Sequence, residues 1–250
     1  MRSNFGSNNW VSDPSKTFFP WLYASDSNVT VRKENPSTTS SKTILRSLNF
    51  DESLLLTNES IEQTFKSSID AKCVNVEGEI VECNIEEVDI EKNEDTLPIY
   101  IRMDNDEVQG IALPIAGKGL WSTIFGYIAL NPDTDSVLGI QFYKHGETPG
   151  LGGEVEKKWF TDNFVNHPIK QPDGQIQYVP KKIRDKSGKI ISIKVVKGGV
   201  DYSESNTSSI HQVDGISGAT VTADGVTDFL LEDLLRYEKT LDKIRDYGTI

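Results

Sequence analysis

The sequence predicts an α+β fold: a largely antiparallel, twisted sheet flanked by N-terminal and C-terminal helices. The longest stretches of helical periodicity lie at the two ends of the chain, and alternating β-type runs separated by turn residues occupy most of its middle. Such runs, when joined by short turns, pair antiparallel, because a parallel crossover needs a connection of about a dozen residues or more. The 250 residues are enough for one large domain or two small ones.

Two helices are predicted ahead of the sheet. Their apolar residues recur at helical spacing: Ile44, Leu45 and Leu48 in the first helix, and Ile61, Phe65 and Ile69 in the second. Asn58 is a candidate N-cap for the second helix. We therefore assign residues 44–250 to the folded domain. Residues 1–43 are rich in Ser, Asn and Thr, and we assign them to a flexible or artificially added leader.

Strand candidates and turns make up the middle of the chain. The first candidates are the stretches KCVNVEG, EIVECNIEEVDI and LPIYIRM. Two hairpins are predicted further along, one around Asn131-Pro132-Asp133 and one around Ser187-Gly188, with a short helix at KWFTDNFV between them. The strongest helix is the last, TADGVTDFLLEDLLRYEKTLDKI, because its leucines form a wide apolar stripe.

Cys73 and Cys83 are the two cysteines, and their spacing matches neither a CxxC motif nor a metal site. The residues between them indicate strand–turn–strand with Gly78 at the turn, so a hairpin would bring the two sulfur atoms close together. We favour two independent thiols over a disulfide. The three histidines lie far apart in the sequence, and no metal site is expected.

The net charge of −12, from 38 acidic and 26 basic residues, argues against a nucleic-acid partner, because this surface would repel phosphate backbones. The chain contains no window of about 18 consecutive apolar residues, and its N-terminus lacks the pattern of a signal peptide. As written, the chain is expected to be soluble.

Three glycine-punctuated stretches are candidates for a ligand site: Gly117–Trp121 (GKGLW), His145–Glu154 (HGETPGLGGE) and Asp214–Asp224 (DGISGATVTAD). Each one taken alone is more often a turn. Glycine permits positive φ and close backbone approach, so such loops also cradle ligands with their N–H groups. None of the three fits the dinucleotide fingerprint or a phosphate loop. Together they indicate a ligand, without identifying it.

The third stretch immediately precedes the last apolar helix. Thr222 or Asp224 is expected to cap this helix by accepting hydrogen bonds from its free N–H groups. The neighbouring hydroxyls are then unexplained. A helix N-terminus also favours a bound phosphate, because its free N–H groups and the helix dipole attract negative charge. The residues by themselves therefore indicate an anion site at a helix start.

Asp214–Thr220 (DGISGAT) resembles the D-x-x-[ST]-G-A-T motif of FMN-binding domains. In that family a dedicated transferase links FMN through its phosphate to the last threonine. The resemblance implies an FMN-binding domain with FMN covalently attached to Thr220 as a phosphoester, and a flavin transferase as a partner during maturation. The same match makes four further motif residues candidates for cofactor binding: Asp214, Ser217, Gly218 and Ala219.

The stretches GKGLWS and HGETPGLGGE narrow the resemblance to the NqrC family, which are subunits of the sodium-pumping NADH:quinone oxidoreductases. The related RnfG-type subunits share the ETPGLG loop but usually lack the Gly-Leu-Trp-Ser stretch, which lies here at residues 119–122. The resemblance covers residues 44–245. Family members begin with one membrane-spanning helix. Residues 1–43 contain none, so either the anchor has been removed or this N-terminus is atypical, and we favour removal.

The resemblance also implies how the flavin is held. The loop from Glu147 to Gly152 is expected to contact the isoalloxazine ring, with backbone N–H groups bonding the ring carbonyls and Leu151 covering one face. The candidate residues of this loop are Glu147, Thr148, Gly150, Leu151 and Gly152.

Leu120 and Trp121 are candidates for an apolar wall, and Trp121 fits equally as a core residue. Lys118 is a candidate positive charge near the ring or the phosphate, with a solvated surface lysine as the alternative. Because the ring edge must reach a partner's cofactor, these apolar loops are expected to be partly exposed in the isolated domain.

The function implied by the resemblance is electron transfer. The FMN-bearing domain would relay single electrons among the other subunits of a bacterial inner-membrane complex that oxidises NADH, reduces quinone and pumps sodium, with the domain on the periplasmic side. Two alternatives are an RnfG-type subunit of a related ion-pumping complex and a non-redox domain whose glycine loops bind a small anion or a partner protein.

Overall fold

A six-stranded antiparallel sheet forms the centre of the molecule, which a computed structural model describes for residues 36–90, 95–171, 173–203 and 206–248. In chain order its strands are β1 (Ile69–Val74), β2 (Ile80–Val81), β3 (Leu97–Asp104), β4 (Glu107–Lys118), β5 (Thr123–Leu130) and β6 (Val137–Lys144). They lie in the order β2-β1-β3-β4-β5-β6, each antiparallel to its neighbours. The predicted α+β class and the hairpin around Asn131-Pro132-Asp133 are confirmed.

Helices cover both faces of this sheet. Their bounds are α1 (Pro36–Ser47), α2 (Asn58–Ser68), α3 (Lys158–Thr161), α4 (Thr220–Arg236) and α5 (Glu238–Tyr247). Side chains of β4 alternate between the two faces, as the strand period requires. Ile111 and Leu113 share a core with Leu230 and Leu234 of α4. Ala112 packs on the other side, in a cluster with residues of α1.

The N-terminal helix begins earlier than its apolar pattern. Helix α1 starts at Pro36, and Thr38 and Thr43 are buried within the domain, so packing rather than apolar periodicity extends the helix. Residues 1–35, with most of the proposed leader, lie outside the described residues. The N-cap of α2 is Thr57 rather than Asn58, because the Thr57 hydroxyl accepts the Ser60 N–H in a capping box.

The prediction of a hairpin around Ser187-Gly188 is wrong about which strands pair. A turn is present there, closed by the Arg184–Ile190 bridge. The flanking strands pair elsewhere: β8 (Ile176–Pro180) is antiparallel to β7 (Asn166–Lys170), and β9 (Lys194–Val196) is parallel to β10 (Gln212–Asp214). Strand β8 ends at Pro180, because proline has no backbone N–H to continue the ladder of hydrogen bonds. The next residue, Lys181, is buried.

The last predicted helix is two helices. A break at Tyr237 separates α4 from α5, and the buried Tyr237 hydroxyl donates to the carbonyl of Pro98 at 2.7 Å. None of the helices among the described residues combines the length and the apolar character needed to cross a bilayer.

The expectation of two independent thiols is wrong, because Cys73 and Cys83 form a disulfide with their Cα atoms 6.1 Å apart. The predicted hairpin itself is confirmed. Strand β1 pairs with β2 so that Cys73 faces Val81, and Gly78 turns the chain with a φ of +72°. Cys83 follows two residues after Val81 and reaches back across the hairpin.

Replacing both cysteines by alanine is expected to lower the free energy of unfolding by about 2–3 kcal/mol, because the disulfide restricts the unfolded chain. Urea unfolding of the variant and of the wild type, each with and without reductant, measures the difference. Reductant should lower the wild-type midpoint toward that of the variant and leave the variant unchanged. Equal midpoints for both proteins without reductant would contradict the disulfide.

Candidate functional site

The segment with the SGAT motif forms the N-terminus of helix α4. Gly218 has a φ of +76°, Ala219 occupies the N-cap position, and Thr220 is the first helical residue and is exposed. The predicted caps are wrong: Thr222 and Asp224 lie inside the helix. Alanine carries no side-chain acceptor, so the N-cap makes no side-chain hydrogen bond to the first turn. The helix start therefore offers N–H donors to an external acceptor.

Glu147 joins the three glycine-punctuated stretches. Its carboxylate is buried and accepts the N–H of Trp121 at 2.9 Å, that of Ser122 at 3.3 Å and that of Leu120 at 3.2 Å. The Thr222 hydroxyl of helix α4 donates to the same carboxylate at 2.7 Å. One side chain thus fixes the loop after β4, its own loop and the start of α4 relative to one another.

The Glu147 carboxylate is ionised by these bonds. Burial opposes the charge, but the hydrogen bonds from Thr222 and from the backbone of Trp121, Ser122 and Leu120 outweigh it, so the pKa lies below its usual value. An ionised carboxylate accepts hydrogen bonds on both oxygens. Because these hydrogen bonds come from two segments distant in the chain, we interpret Glu147 as a residue that positions the loops.

Two glycines make room for this carboxylate. A Cβ built on Gly119 would lie 2.7 Å from Glu147 Oε1, and one on Gly152 would lie 2.6 Å from Glu147 Oε2 and equally close to the Thr222 hydroxyl. Both distances are shorter than normal Cβ contacts, so a side chain at either position would displace the Glu147 carboxylate from its hydrogen bonds. Glycine at these two positions leaves the carboxylate in place.

Glycine also brings helix α4 against the end of β4. A Cβ on Gly225 would lie 2.2 Å from the Lys118 carbonyl oxygen, and one on Gly117 would lie 2.1 Å from Phe229 Cβ. Asp233 of the same helix accepts the Ala116 N–H at 2.7 Å. These contacts set the position of the helix start relative to the GKGLW loop.

Gly225→Ala is expected to lower the free energy of unfolding by about 1–3 kcal/mol, because the new methyl group meets a backbone carbonyl. Elsewhere in a helix the same change raises the free energy of unfolding by up to about 1 kcal/mol. A decrease here would therefore indicate the close approach of the Lys118 carbonyl. Urea unfolding measures it. The matched control is Asp228→Ala, an exposed position of α4, which is expected to stay close to wild type. A stabilised Gly225→Ala protein would contradict the close approach.

Large apolar side chains are exposed around this centre. Leu120 is 45%, Trp121 69% and Leu151 42% exposed, as expected for loops that contact another molecule. Trp121 is therefore not a core residue. A Cβ on Gly218 would lie 2.9 Å from a methyl group of Leu151, so the ETPGLG loop rests against the SGAT segment.

A pocket of about 320 Å³ lies beside Thr220. The loop after β9 forms one wall, and the SGAT segment with the first turn of α4 forms the other. The residues lining it include Val196, Lys197, Gly198, Ile216, Ser217, Gly218, Thr220 and Asp224.

The structure brings most of the predicted site residues together. Leu120 and Trp121 donate their N–H groups to Glu147, which also accepts from Thr222 near the start of α4. Leu151 lies against Gly218, and the Lys118 side chain is exposed at the end of β4. Thr148 and Gly150 are exposed on their loop.

Asp214 is turned toward another part of the chain. Its Oδ1 accepts hydrogen bonds from the Val200 N–H at 2.7 Å and from the Tyr202 hydroxyl at 3.2 Å.

The contacts of Asp214 and the roles of two further residues of the site, Thr222 and Asp233, were not predicted from the sequence. Thr222 matches the pattern of a cap, and Asp233 carries no signal beyond its place in an apolar helix. Burial, opposed by the Ala116 N–H and by Arg236, raises the pKa of Asp233 to about 6.

Comparison with known proteins agrees with this geometry. Residues 119–232 match the FMN-binding domain family. The NqrC protein of the Na(+)-translocating NADH-quinone reductase of Vibrio alginolyticus is 40% identical over 161 residues, which are 63% of this chain and 55% of that protein. The corresponding protein of Pseudomonas aeruginosa is 36% identical over 141 residues, 56% of this chain and 48% of that protein. The chain spans about half the length of the curated relatives it matches.

Solved structures show the same fold. The crystal structure of the equivalent Na(+)-translocating NADH-quinone reductase protein from Parabacteroides distasonis aligns with a TM-score of 0.68 at 31% identity, covering 83% of this chain and 93% of that chain. NqrC from Shewanella oneidensis aligns with a TM-score of 0.64 at 24% identity, covering 84% and 99%, and supports the fold. The chain therefore belongs to the NqrC family of Na(+)-translocating NADH-quinone reductase subunits.

Proposed function

We propose that this chain carries FMN on Thr220 as a phosphoester and relays single electrons within a membrane-bound, Na+-translocating NADH:quinone oxidoreductase. The observation that carries the proposal is the position of Thr220. It is the exposed first residue of a 17-residue helix whose N-cap supplies no acceptor. A phosphate on its hydroxyl would meet free N–H groups and the positive end of the helix dipole.

The residues around Thr220 fit the rest of FMN. The adjacent pocket gives space next to the attachment atom, and the exposed side chains of Leu120, Trp121 and Leu151 supply apolar surface for a planar ring. Exposed Lys118 can add positive charge. When bound, FMN supplies the one-electron redox chemistry, and the chain binds and orients it.

Attachment requires a nucleophile and an activated phosphate. The Thr220 hydroxyl is the nucleophile. FAD is a suitable donor, because it holds FMN as a phosphoanhydride: Thr220 Oγ attacks the FMN phosphorus, the P–O bond to AMP breaks, and the hydroxyl proton is released. A flavin transferase is the partner for this step. The exposure of Thr220 supports access by such an enzyme.

The other subunits of the complex are the proposed partners in electron transfer. The curated relatives from Vibrio alginolyticus and Pseudomonas aeruginosa are NqrC proteins, which supports this assignment over an RnfG-type role. We place the domain on the periplasmic side of the bacterial inner membrane. The Cys73–Cys83 disulfide supports this location, because disulfides persist in oxidising compartments.

Co-expression with and without a flavin transferase tests the proposal. Intact mass spectrometry of the wild-type protein should show the mass of FMN minus one water only with the transferase, and a denaturing gel should show a fluorescent band under ultraviolet light. An unchanged mass in the presence of an active transferase would overturn covalent attachment. It would leave the non-redox binding domain as the alternative.

A further inference from the structure

A fully buried lysine lies next to the attachment segment. Lys181 is 0% exposed, and its Nζ bonds to His167 Nδ1 at 3.1 Å, to the Ser209 carbonyl at 2.8 Å and to the Gln212 carbonyl. An ammonium group has three N–H donors, and these contacts use all three. The buried cation is therefore satisfied by hydrogen bonds, as a buried charge must be.

The hydrogen-bond directions in this cluster follow from the donor count. Because the Lys181 ammonium can only donate, His167 accepts at Nδ1 and carries its proton on Nε2. Nε2–H then donates to the Ser209 hydroxyl at 2.9 Å, and that hydroxyl donates to the Asn206 carbonyl at 2.6 Å. Each donor meets one acceptor, so the cluster has a single consistent arrangement.

The charges of the cluster agree with this arrangement. Burial lowers the pKa of Lys181 to about 8, and the Asp214 carboxylate opposes that shift. Burial, and then the charge of Lys181, lower the pKa of His167 to about 4. At neutral pH the lysine is charged and the histidine is neutral. Asp214 supplies the compensating negative charge.

The cluster connects directly to the segments that frame Thr220. The Lys181 Nζ lies 5.4 Å from the centre of the Tyr202 ring, and the Tyr202 hydroxyl donates to Asp214 Oδ1. Asp214 also holds the Val200 N–H. Lys181 also donates to the carbonyl of Gln212, the first residue of β10, and this strand ends at Asp214. One wall of the pocket beside Thr220 lies between Val200 and β9, and the other follows β10.

We propose that Lys181 is a positioning residue for flavin attachment, which acts through Asp214 and Tyr202 to fix the two walls of the pocket beside Thr220. The inference rests on the proposed function, because attachment at Thr220 is the step it serves. Lys181 contacts neither Thr220 nor the exposed apolar loops. Its effect is on the geometry in which a transferase meets the threonine.

Lys181→Met and the matched control Lys182→Met test this role. Lys182 is the next residue, and its ammonium pairs with Asp135 at 2.8 Å, near the surface. Purified apo proteins are incubated with transferase and FAD, and initial rates are read from in-gel flavin fluorescence. Lys181→Met should slow attachment about tenfold, the effect of losing a charged hydrogen-bond donor. Lys182→Met should react at the wild-type rate.

The pH dependence separates positioning from packing. The ratio of the wild-type rate to the Lys181→Met rate cancels the transferase's own pH profile. This ratio should be large near pH 7 and fall near pH 9, because Lys181 loses its charge around pH 8. The ionisable groups that face it are His167, Tyr202 and Asp214. The pKa values of His167 and Tyr202 are about 4 and about 12, so neither changes its charge in this range. A ratio that is constant with pH, or close to one, would overturn the positioning role.

Tyr202→Phe keeps the inference testable if Lys181→Met does not fold. It removes only the hydroxyl that reaches Asp214 and leaves the half-buried ring in place. Attachment should slow about tenfold, as expected for the loss of one hydrogen bond to a charged group. A wild-type rate in a folded Tyr202→Phe protein would contradict the inference. Failure of the wild-type protein to gain flavin would instead overturn the proposed function.

Discussion

Replacing Thr220 with valine is expected to abolish covalent flavin attachment and to leave the fold intact. Valine has nearly the same shape as threonine but no hydroxyl, so no nucleophile is present for the phosphoester. Because Thr220 is exposed, the free energy of unfolding should change by less than about 0.5 kcal/mol. Intact mass after co-expression with the transferase measures the first effect, and urea unfolding measures the second.

Thr220→Ser is the matched control for this experiment. Serine keeps the hydroxyl at the same place, and the labelled mass should appear again. If the valine variant still gains the mass of FMN minus one water, the phosphoester lies on another residue. Peptide mapping would then test Ser217, the other exposed hydroxyl of the motif.

Glu147→Ala is expected to lower the free energy of unfolding by about 2–4 kcal/mol. The backbone N–H groups and the Thr222 hydroxyl that donate hydrogen bonds to Glu147 would lose their buried acceptor. The loop after β4 and the start of α4 then lose their common attachment point. Flavin attachment at Thr220 should fall with the loss of this arrangement. Urea unfolding and the in-gel fluorescence rate measure the two effects.

The pH dependence of stability identifies the charged form of Glu147. Its pKa is lowered in the folded protein, so below its usual value of 4.5 the unfolded chain binds the proton first. The stabilisation is complete above that value and is lost as the pH falls through the folded pKa. Glu147→Gln should lack this part of the acid sensitivity, whereas Glu232→Gln, at an exposed position of α4, should retain it. Identical acid profiles for Glu147→Gln and the wild type would contradict the ionised carboxylate.

Local patterns are sufficient for the framework of the fold. The hairpin of β5 and β6 surrounds a short turn, and the apolar stripe of α4 repeats within the helix itself, so both can be predicted from neighbouring residues. The strand Ile176–Pro180 also pairs locally, with β7 across a short turn closed by the Gln171 N–H and the Gln175 carbonyl. The choice between this turn and the one at Ser187-Gly188 depends on tertiary packing, such as the burial of Lys181 directly after the strand.

The candidate site shows the same division. The three glycine-punctuated stretches and Thr220 carry recognisable residue patterns. The contact that joins them, between Glu147 and Thr222, connects positions far apart in the chain. A threonine two residues into a helix resembles a cap in sequence, and only its tertiary position shows that it donates to a carboxylate instead. Lys181 lies in the basic run KKIR, which is typical of a solvated surface, and its burial depends on β7 and β10.

The Glu147 contacts have a consequence for the order of events during biosynthesis. The segments that meet at this carboxylate lie around residues 120, 147 and 222 of a 250-residue chain. They cannot assemble until helix α4 has left the ribosome. A transferase that recognises this surface would therefore act only after α4 has packed against the end of β4.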